Sequence, residues 1–171
     1  MSYQSNSRQS WRLGYDSALK TIRGQLEHAP SNTPIRLAKA TSNLFRGRSA
    51  SAVTGLDVTS FARVFDVDSA ARTAEVGGMT TYEDLVAATL PYGLMPLCVP
   101  QLRTITLGGA VTGLGIESAS FRSGTPHESV LEMDILTGTG EVLTVSSDFQ
   151  DPNQDLFYTF PNSYGSLGYA L

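Results

Sequence analysis

Four glycines within eight residues, Gly108, Gly109, Gly113 and Gly115, constrain this chain more than any other feature. They lie in the run 100–124, PQLRTITLGGAVTGLGIESASFRSG, where small residues dominate. Backbone without side chains has two uses: it lets a short helix pack closely against a sheet, or it leaves main-chain amides uncovered for an anion. For any one glycine the packing use is the stronger reading. Four together, flanked by the hydroxyls of Thr104, Thr106, Thr112, Ser118 and Ser120, favour a surface for an extended anionic cofactor whose diphosphate needs no basic clamp.

Composition narrows the field. A chain of 171 residues with 41% hydrophobic side chains can bury one core, or two small lobes sharing an interface. Sixteen glycines and eight prolines are too many for a helical bundle. The net charge of −4 draws no polyanion. Arg8, Arg12, Lys20, Arg23, Arg36, Lys39, Arg46 and Arg48 gather in the N-terminal third without interleaved aromatics, so nucleic acid is not an expected partner. One cysteine, Cys98, makes neither a disulfide nor a thiol cage, and His28 and His127 lack companions at metal-site spacing, so no metal is expected. Residues 1–10 are polar and no window is long and apolar enough for a bilayer; the chain reads as cytoplasmic.

Periodicity supplies the elements. After the polar leader, Trp11, Tyr15, Ala18, Leu19, Ile22 and Leu26 share one helical face, and Pro30 and Pro34 end that helix. Apolar segments at 35–38 and 52–58 read as strands around a polar loop. Residues 63–68 and 73–76 alternate as a half-buried hairpin. Thr80 with Glu83 reads as a capping box for a helix through Leu85, Val86 and Leu90, stopped by Pro91 and Gly93. Residues 131–136 and 141–145 form a second hairpin across Gly138, Thr139 and Gly140. The expectation is an α+β fold with a small lobe over 1–60 and a larger one over 61–171.

Familiar nucleotide signatures are absent from the sequence: no Gly-x-Gly-x-x-Gly follows a strand and there is no Gly-x-x-x-x-Gly-Lys-Ser/Thr. Ser163 and Ser166 do not form Gly-x-Ser-x-Gly, which removes support for a hydrolase elbow.

Three ordered blocks nevertheless carry a resemblance. The run 100–124, the segment from Pro126-His127-Glu128-Ser129-Val130 into Met133-Asp134-Ile135-Leu136-Thr137-Gly138-Thr139-Gly140-Glu141, and the closing Phe160-Pro161-Asn162-Ser163-Tyr164-Gly165-Ser166-Leu167-Gly168 resemble flavoproteins of the vanillyl-alcohol oxidase and p-cresol methylhydroxylase (PCMH) type. Within that group, Thr106-Leu107-Gly108-Gly109, Gly113-Leu114-Gly115-Ile116-Glu117-Ser118 and Asp155-Leu156-Phe157-Tyr158 look most like sterol side-chain (delta-24) reductases. The likeness covers about 34–171.

The resemblance implies a PCMH-type FAD-binding domain of two α/β lobes with non-covalent FAD, since the first-lobe loop has no histidine. It implies that Gln101, Leu102, Arg103, Thr106, Gly108, Gly109, Ala110, Gly113, Gly115 and Ile116 line the cofactor, mostly through backbone groups. Thr41, Ser42, Asn43 and Leu44 then wrap the pyrophosphate, in a loop that departs from the commoner Gly-Gly-x-Ser form. Glu117 stands near the flavin or serves as a capping carboxylate; Tyr164 and Gly165 fold close to ring or pyrophosphate. His127 either tunes the flavin or makes a structural hydrogen bond, the second being favoured.

By the same resemblance, a C-terminal substrate domain is absent and the last strand is cut short, so the fragment alone should turn over poorly. The implied reaction is hydride transfer between FAD and an organic substrate, sterol-like or another alkene or alcohol, with no catalytic residue identified. The rival reading is a cofactor-free module of the same fold with an interaction role.

Overall fold

The computed structural model describes residues 3–29, 35–39 and 55–171, with side chains from residue 11 onward. It divides into two compact units, Met1–Phe61 and Ala62–Leu171.

The first unit is built on α1 (Tyr3–Glu27). The polar leader expected ahead of the helix is itself helical from Tyr3. Apolar spacing marks only the packed part of a helix, and no proline interrupts the residues before it. Ala18 and Ile22 are buried, and the Tyr15 ring meets Phe61 edge-on at 6.0 Å. Strands β1 (Arg36–Ala38) and β2 (Gly55–Asp57) pair in parallel, Leu37 opposite Leu56. A side chain at Gly55 would come within 2.8 Å of the Ala38 nitrogen, so this pairing requires glycine. Gln25 of α1 completes the strand edge: its Oε1 accepts from the Asp57 amide at 2.7 Å and its Nε2 donates to the Asp57 carbonyl at 3.3 Å. Backbone groups that β2 would otherwise leave open are satisfied by a helix side chain.

The second unit opens with the antiparallel hairpin β3 (Val64–Asp68) and β4 (Thr73–Val76), irregular in register between Val64 and Asp66. The Asp68 carboxylate accepts from the amides of Ala70 and Ala71, each at 2.9 Å, which holds the turn. Helix α2 (Tyr82–Thr89) follows, with a cap one residue later than the sequence suggests. Thr81, not Thr80, accepts from the Asp84 amide, and its hydroxyl donates to the Asp84 carboxylate. Thr80 is fully buried and its hydroxyl donates to the Arg63 carbonyl at 2.7 Å. Two adjacent threonines thus offer the same capping chemistry, and burial of one decides between them.

Three short helices were not distinguished as elements by periodicity: α3 (Leu107–Thr112), α4 (Ser120–Ser123) and, later, α5 (Gln154–Thr159). Between the last two lie β5 (Glu132–Leu136) and β6 (Val142–Ser146), joined through Gly140 at φ 85°. The chain closes with β7 (Tyr169–Ala170) on the far side of β5, giving the antiparallel order β6-β5-β7. One core cluster is Val111, Ile135, Val145, Phe157, Phe160 and Ala170; another is Tyr82, Leu85 and Ala110.

Asp151 ties the end of β6 to the approach to α5. Its carboxylate accepts from the amides of Asn153 and Ser146, at 2.8 and 2.6 Å, and from the Ser146 hydroxyl. The Asn153 amide, aided by the Ser146 groups and opposed by desolvation, holds this carboxyl below its ordinary pKa. A depressed carboxyl stabilises the fold above its unfolded pKa, and that contribution is lost as pH falls through the lowered folded value. Asp151→Asn should therefore reduce stability at neutral pH and shrink the acid-induced loss, read from unfolding midpoints between pH 7 and pH 2.

Two glycines test the packing with opposite signs. A side chain at Gly78 would collide with the Ala170 carbonyl, whereas Gly24 lies in α1 with open space around it. Gly78→Ala should cost about 1–3 kcal/mol by overpacking, and Gly24→Ala should gain about 0.5–1 kcal/mol by helix propensity; denaturant titration measures both.

Candidate functional site

The glycine run folds as α3 and the loop beyond it, and its amides are largely engaged within the protein. Gly108 donates to the Gly78 carbonyl at 2.9 Å, Gly113 to Gly109 at 3.0 Å and Gly115 to Ala110 at 2.8 Å. The Gly109 amide donates to Thr106 Oγ1 at 3.2 Å. The expectation that these glycines leave their amides uncovered is corrected accordingly: they are spent on helix, cap and close packing. Steric geometry supplies the reason, because a Cβ on Gly108 would lie 2.9 Å from the Gly78 carbonyl oxygen and one on Gly115 would lie 3.3 Å from the Pro126 ring. Gly108 and Ala110 are buried, and Ala110 joins Tyr82 and Leu85 in the core.

Open donors sit beside the glycines. In this stretch the amides with no acceptor among the described residues include Leu102, Arg103, Thr104 and Ile116. The first three lie around the turn closed by the Ile105 amide on the Leu102 carbonyl. One hydrogen bond ties that turn to the loop carrying Ile116: Glu117 Oε2 accepts from the Gln101 amide at 3.0 Å. A second tie runs in parallel, Cys98 Sγ meeting Ser120 Oγ at 3.5 Å, while Ser120 Oγ accepts from the Glu117 amide at 3.0 Å. Glu117 acts here as a capping carboxylate for a neighbouring loop. Burial, with Cys98 and Glu117 close by, pushes the Tyr82 phenol up from its ordinary pKa.

Arg103 is exposed and paired with Glu83, Nη1 to Oε1 at 2.8 Å. The two border an open cleft of about 250 Å³ whose other walls are Tyr82, Val86 and Val99. Leu102 and Ile116 are exposed apolar side chains on the two tied loops. The set suits FAD: neutral N–H donors match a diphosphate held without a cationic clamp, and apolar surface beside them matches flat rings.

The closing loop joins this region through the end of α3. The amides of Asn162 and Tyr164 donate to the carbonyls of Val111 and Thr112, at 3.4 and 3.0 Å. Tyr164 (φ 51°) and Gly165 (φ 83°), both expected near the cofactor, follow at its exposed edge. His127 stays within its own turn, Nδ1 at 2.8 Å from Thr125 Oγ1. Thr41, Ser42, Asn43 and Leu44 lie outside the described residues. Ser163, weighed in the sequence only as a nucleophile and given no place at the cofactor, has a hydroxyl buried without a partner among the described residues. Its sequence signal is its place in the closing block, beside Tyr164.

Comparison with known proteins gives the family. The family described as FAD binding domain matches residues 23–146. Cytokinin dehydrogenase 7 of Oryza sativa subsp. japonica is 35% identical over 99 residues, 58% of this chain and 18% of that protein. Delta(24)-sterol reductase of Pisum sativum is 29% identical over 113 residues, 66% of this chain and 20% of that protein. The chain thus spans about a fifth of the length of these curated relatives. Among solved structures, 6-hydroxy-D-nicotine oxidase of Arthrobacter nicotinovorans superposes with a TM-score of 0.66 at 20% identity, covering 87% of this chain and 32% of that one. Among the described residues no helix is long and apolar enough to cross a membrane, and no cluster of three or more His, Cys, Asp or Glu residues is placed to hold a metal ion. The matched family and the shared α+β architecture agree: this chain belongs to the FAD-binding domain family, and its cofactor is FAD.

Proposed function

We propose that this chain is the cofactor-holding part of an oxidoreductase that moves a hydride between an organic substrate and non-covalently held FAD. The match to an FAD binding domain over residues 23–146 carries the reading. Bound FAD supplies the hydride acceptor or donor. The protein's part is to bind and orient it. Amides of Leu102, Arg103 and Thr104 on the turn, and of Ile116 on the loop, donate to cofactor oxygens, while the Leu102 and Ile116 side chains cover apolar surface. Gln101 and Glu117 hold those two loops together through their 3.0 Å hydrogen bond. Thr106 and the glycines Gly108, Gly109, Gly113 and Gly115, with Ala110, keep the intervening helix thin enough to pack closely, so they act on the site through backbone placement. Tyr164 and Gly165 border the cofactor from the closing loop. Non-covalent attachment follows from the resemblance, since the segment 39–45 contains no histidine. Substrate is chosen outside this chain. The names of its relatives span a sterol and a cytokinin, and the substrate proposed stays an organic molecule, sterol-like or another alkene or alcohol.

Titrating the purified chain into FAD should quench flavin fluorescence at micromolar concentrations and give a yellow complex after desalting. No quenching and a colourless protein would reject the cofactor assignment for this chain and favour the interaction-module reading. Glu117→Ala should loosen the turn and weaken FAD binding by up to roughly 10- to 150-fold, the worth of a charge-assisted hydrogen bond. Glu117→Gln, which keeps an acceptor for the Gln101 amide, should retain most of the affinity; equal losses in both variants would instead assign the carboxylate charge itself to FAD.

A further inference from the structure

The loop between α5 and β7 carries two kinds of unfavourable feature in one place. Asn162 at φ 64° and Tyr164 at φ 51° occupy the left-handed region without being glycine, and Gly165 and Gly168 add φ values of 83° and 140°. A side chain such as tyrosine enters that region at a cost and stays only when surrounding contacts hold it there. Those contacts are visible: Asn162 and Tyr164 are pinned by their amides to the carbonyls of Val111 and Thr112. The main chain of Ser163 between them is fully used, its amide donating to Phe160 at 3.1 Å and its carbonyl accepting from the Ser166 amide and hydroxyl at 3.0 and 2.7 Å. Only its side-chain oxygen is left, buried and without a partner among the described residues.

A buried hydroxyl with no hydrogen bond is costly, and natural proteins retain few. Here the cost falls in a strained loop pinned to the carboxyl end of α3, the helix of the glycine run. We propose that Ser163 is a cofactor-binding residue: when FAD binds, the 162–168 loop adjusts and Ser163 Oγ donates to an oxygen of the cofactor. The assignment rests on the FAD reading above. A hydroxyl donor suits the acceptor-rich diphosphate and flavin carbonyls, and the strained backbone is the element whose rearrangement exposes it.

The test separates this role from a structural one by two readouts on the whole chain. Ser163→Ala should leave the melting temperature without FAD unchanged or raised, because it removes an unpaired polar atom from the interior. It should also weaken FAD binding by roughly three- to tenfold, the worth of one hydrogen bond. Ser163→Thr, which keeps the hydroxyl, should recover affinity in proportion to how well it folds. FAD should alter hydrogen exchange at the amides of Tyr164 and Ser166 in the wild-type chain. A lower melting temperature for Ser163→Ala with unchanged FAD affinity would overturn the proposal, since it would show the hydroxyl bonded inside the free protein. Failure of the wild-type chain itself to bind FAD would instead strike the parent reading, and the proposal with it.

Discussion

The second unit depends on a crossing of three backbones at Gly78. Its amide donates to the Leu171 carbonyl at 3.0 Å and its carbonyl accepts from Gly108 at 2.9 Å, so the segment after β4, the start of α3 and the end of β7 meet there without a side chain between them. Neither Gly78 nor Gly108 has room for a Cβ, whose contacts would be with main-chain atoms that cannot rotate away. Around this crossing, Leu107 donates to Thr80, and Tyr82 and Glu83 donate to Ile105 and Arg103. The approach to α2 and the approach to α3 are thereby laced together, which places the 101–104 turn at the edge of the unit. The position of the candidate cofactor donors is a consequence of two hydrogen atoms standing where side chains would be.

The legible parts of the fold were those whose pattern repeats. The β3-β4 and β5-β6 hairpins alternate over four or five residues and carry turn chemistry between them, so their sequence is enough to place them. Helix α2 was legible as an element, but its cap was not, because choosing Thr81 over Thr80 depends on which hydroxyl the tertiary fold buries. The six residues of α3 and of α5 are too short to show a period. Strand β7 is two residues long and exists only because β5 offers an edge to Ile135 and Leu136. In α1 the error ran the other way: Trp11 to Leu26 report the packed face, and a helix continues through polar residues that no core requires.

The glycine run shows why a site can be recognisable while its stated chemistry is displaced. Its composition marks a cofactor segment, yet composition does not say which amides remain free after folding. Those of Gly108, Gly109, Gly113 and Gly115 are consumed by local bonds, and the open ones belong to Leu102, Arg103, Thr104 and Ile116, which carry ordinary side chains. Glycine here shapes the surface and its neighbours furnish the donors. The same division appears in the closing loop, where Gly165 and Gly168 permit the turn and the unpaired group belongs to Ser163.

A physical preference underlies this division. A glycine that donates its own amide to a ligand must leave that amide unpaired in the free protein, whereas a glycine that fills a tight helix or crossing satisfies it at once. Small folds gain from the second arrangement because each open donor at the surface needs water or a ligand, and each closed one contributes to the free chain. The present unit leaves the amides of Leu102, Arg103, Thr104 and Ile116 open on exposed loops and closes those of its glycines within the protein. On the proposed function, stability without cofactor and affinity for cofactor are then carried by different residues, so that a substitution at the crossing is felt first in folding and one at the Gln101 to Glu117 tie is felt first in binding.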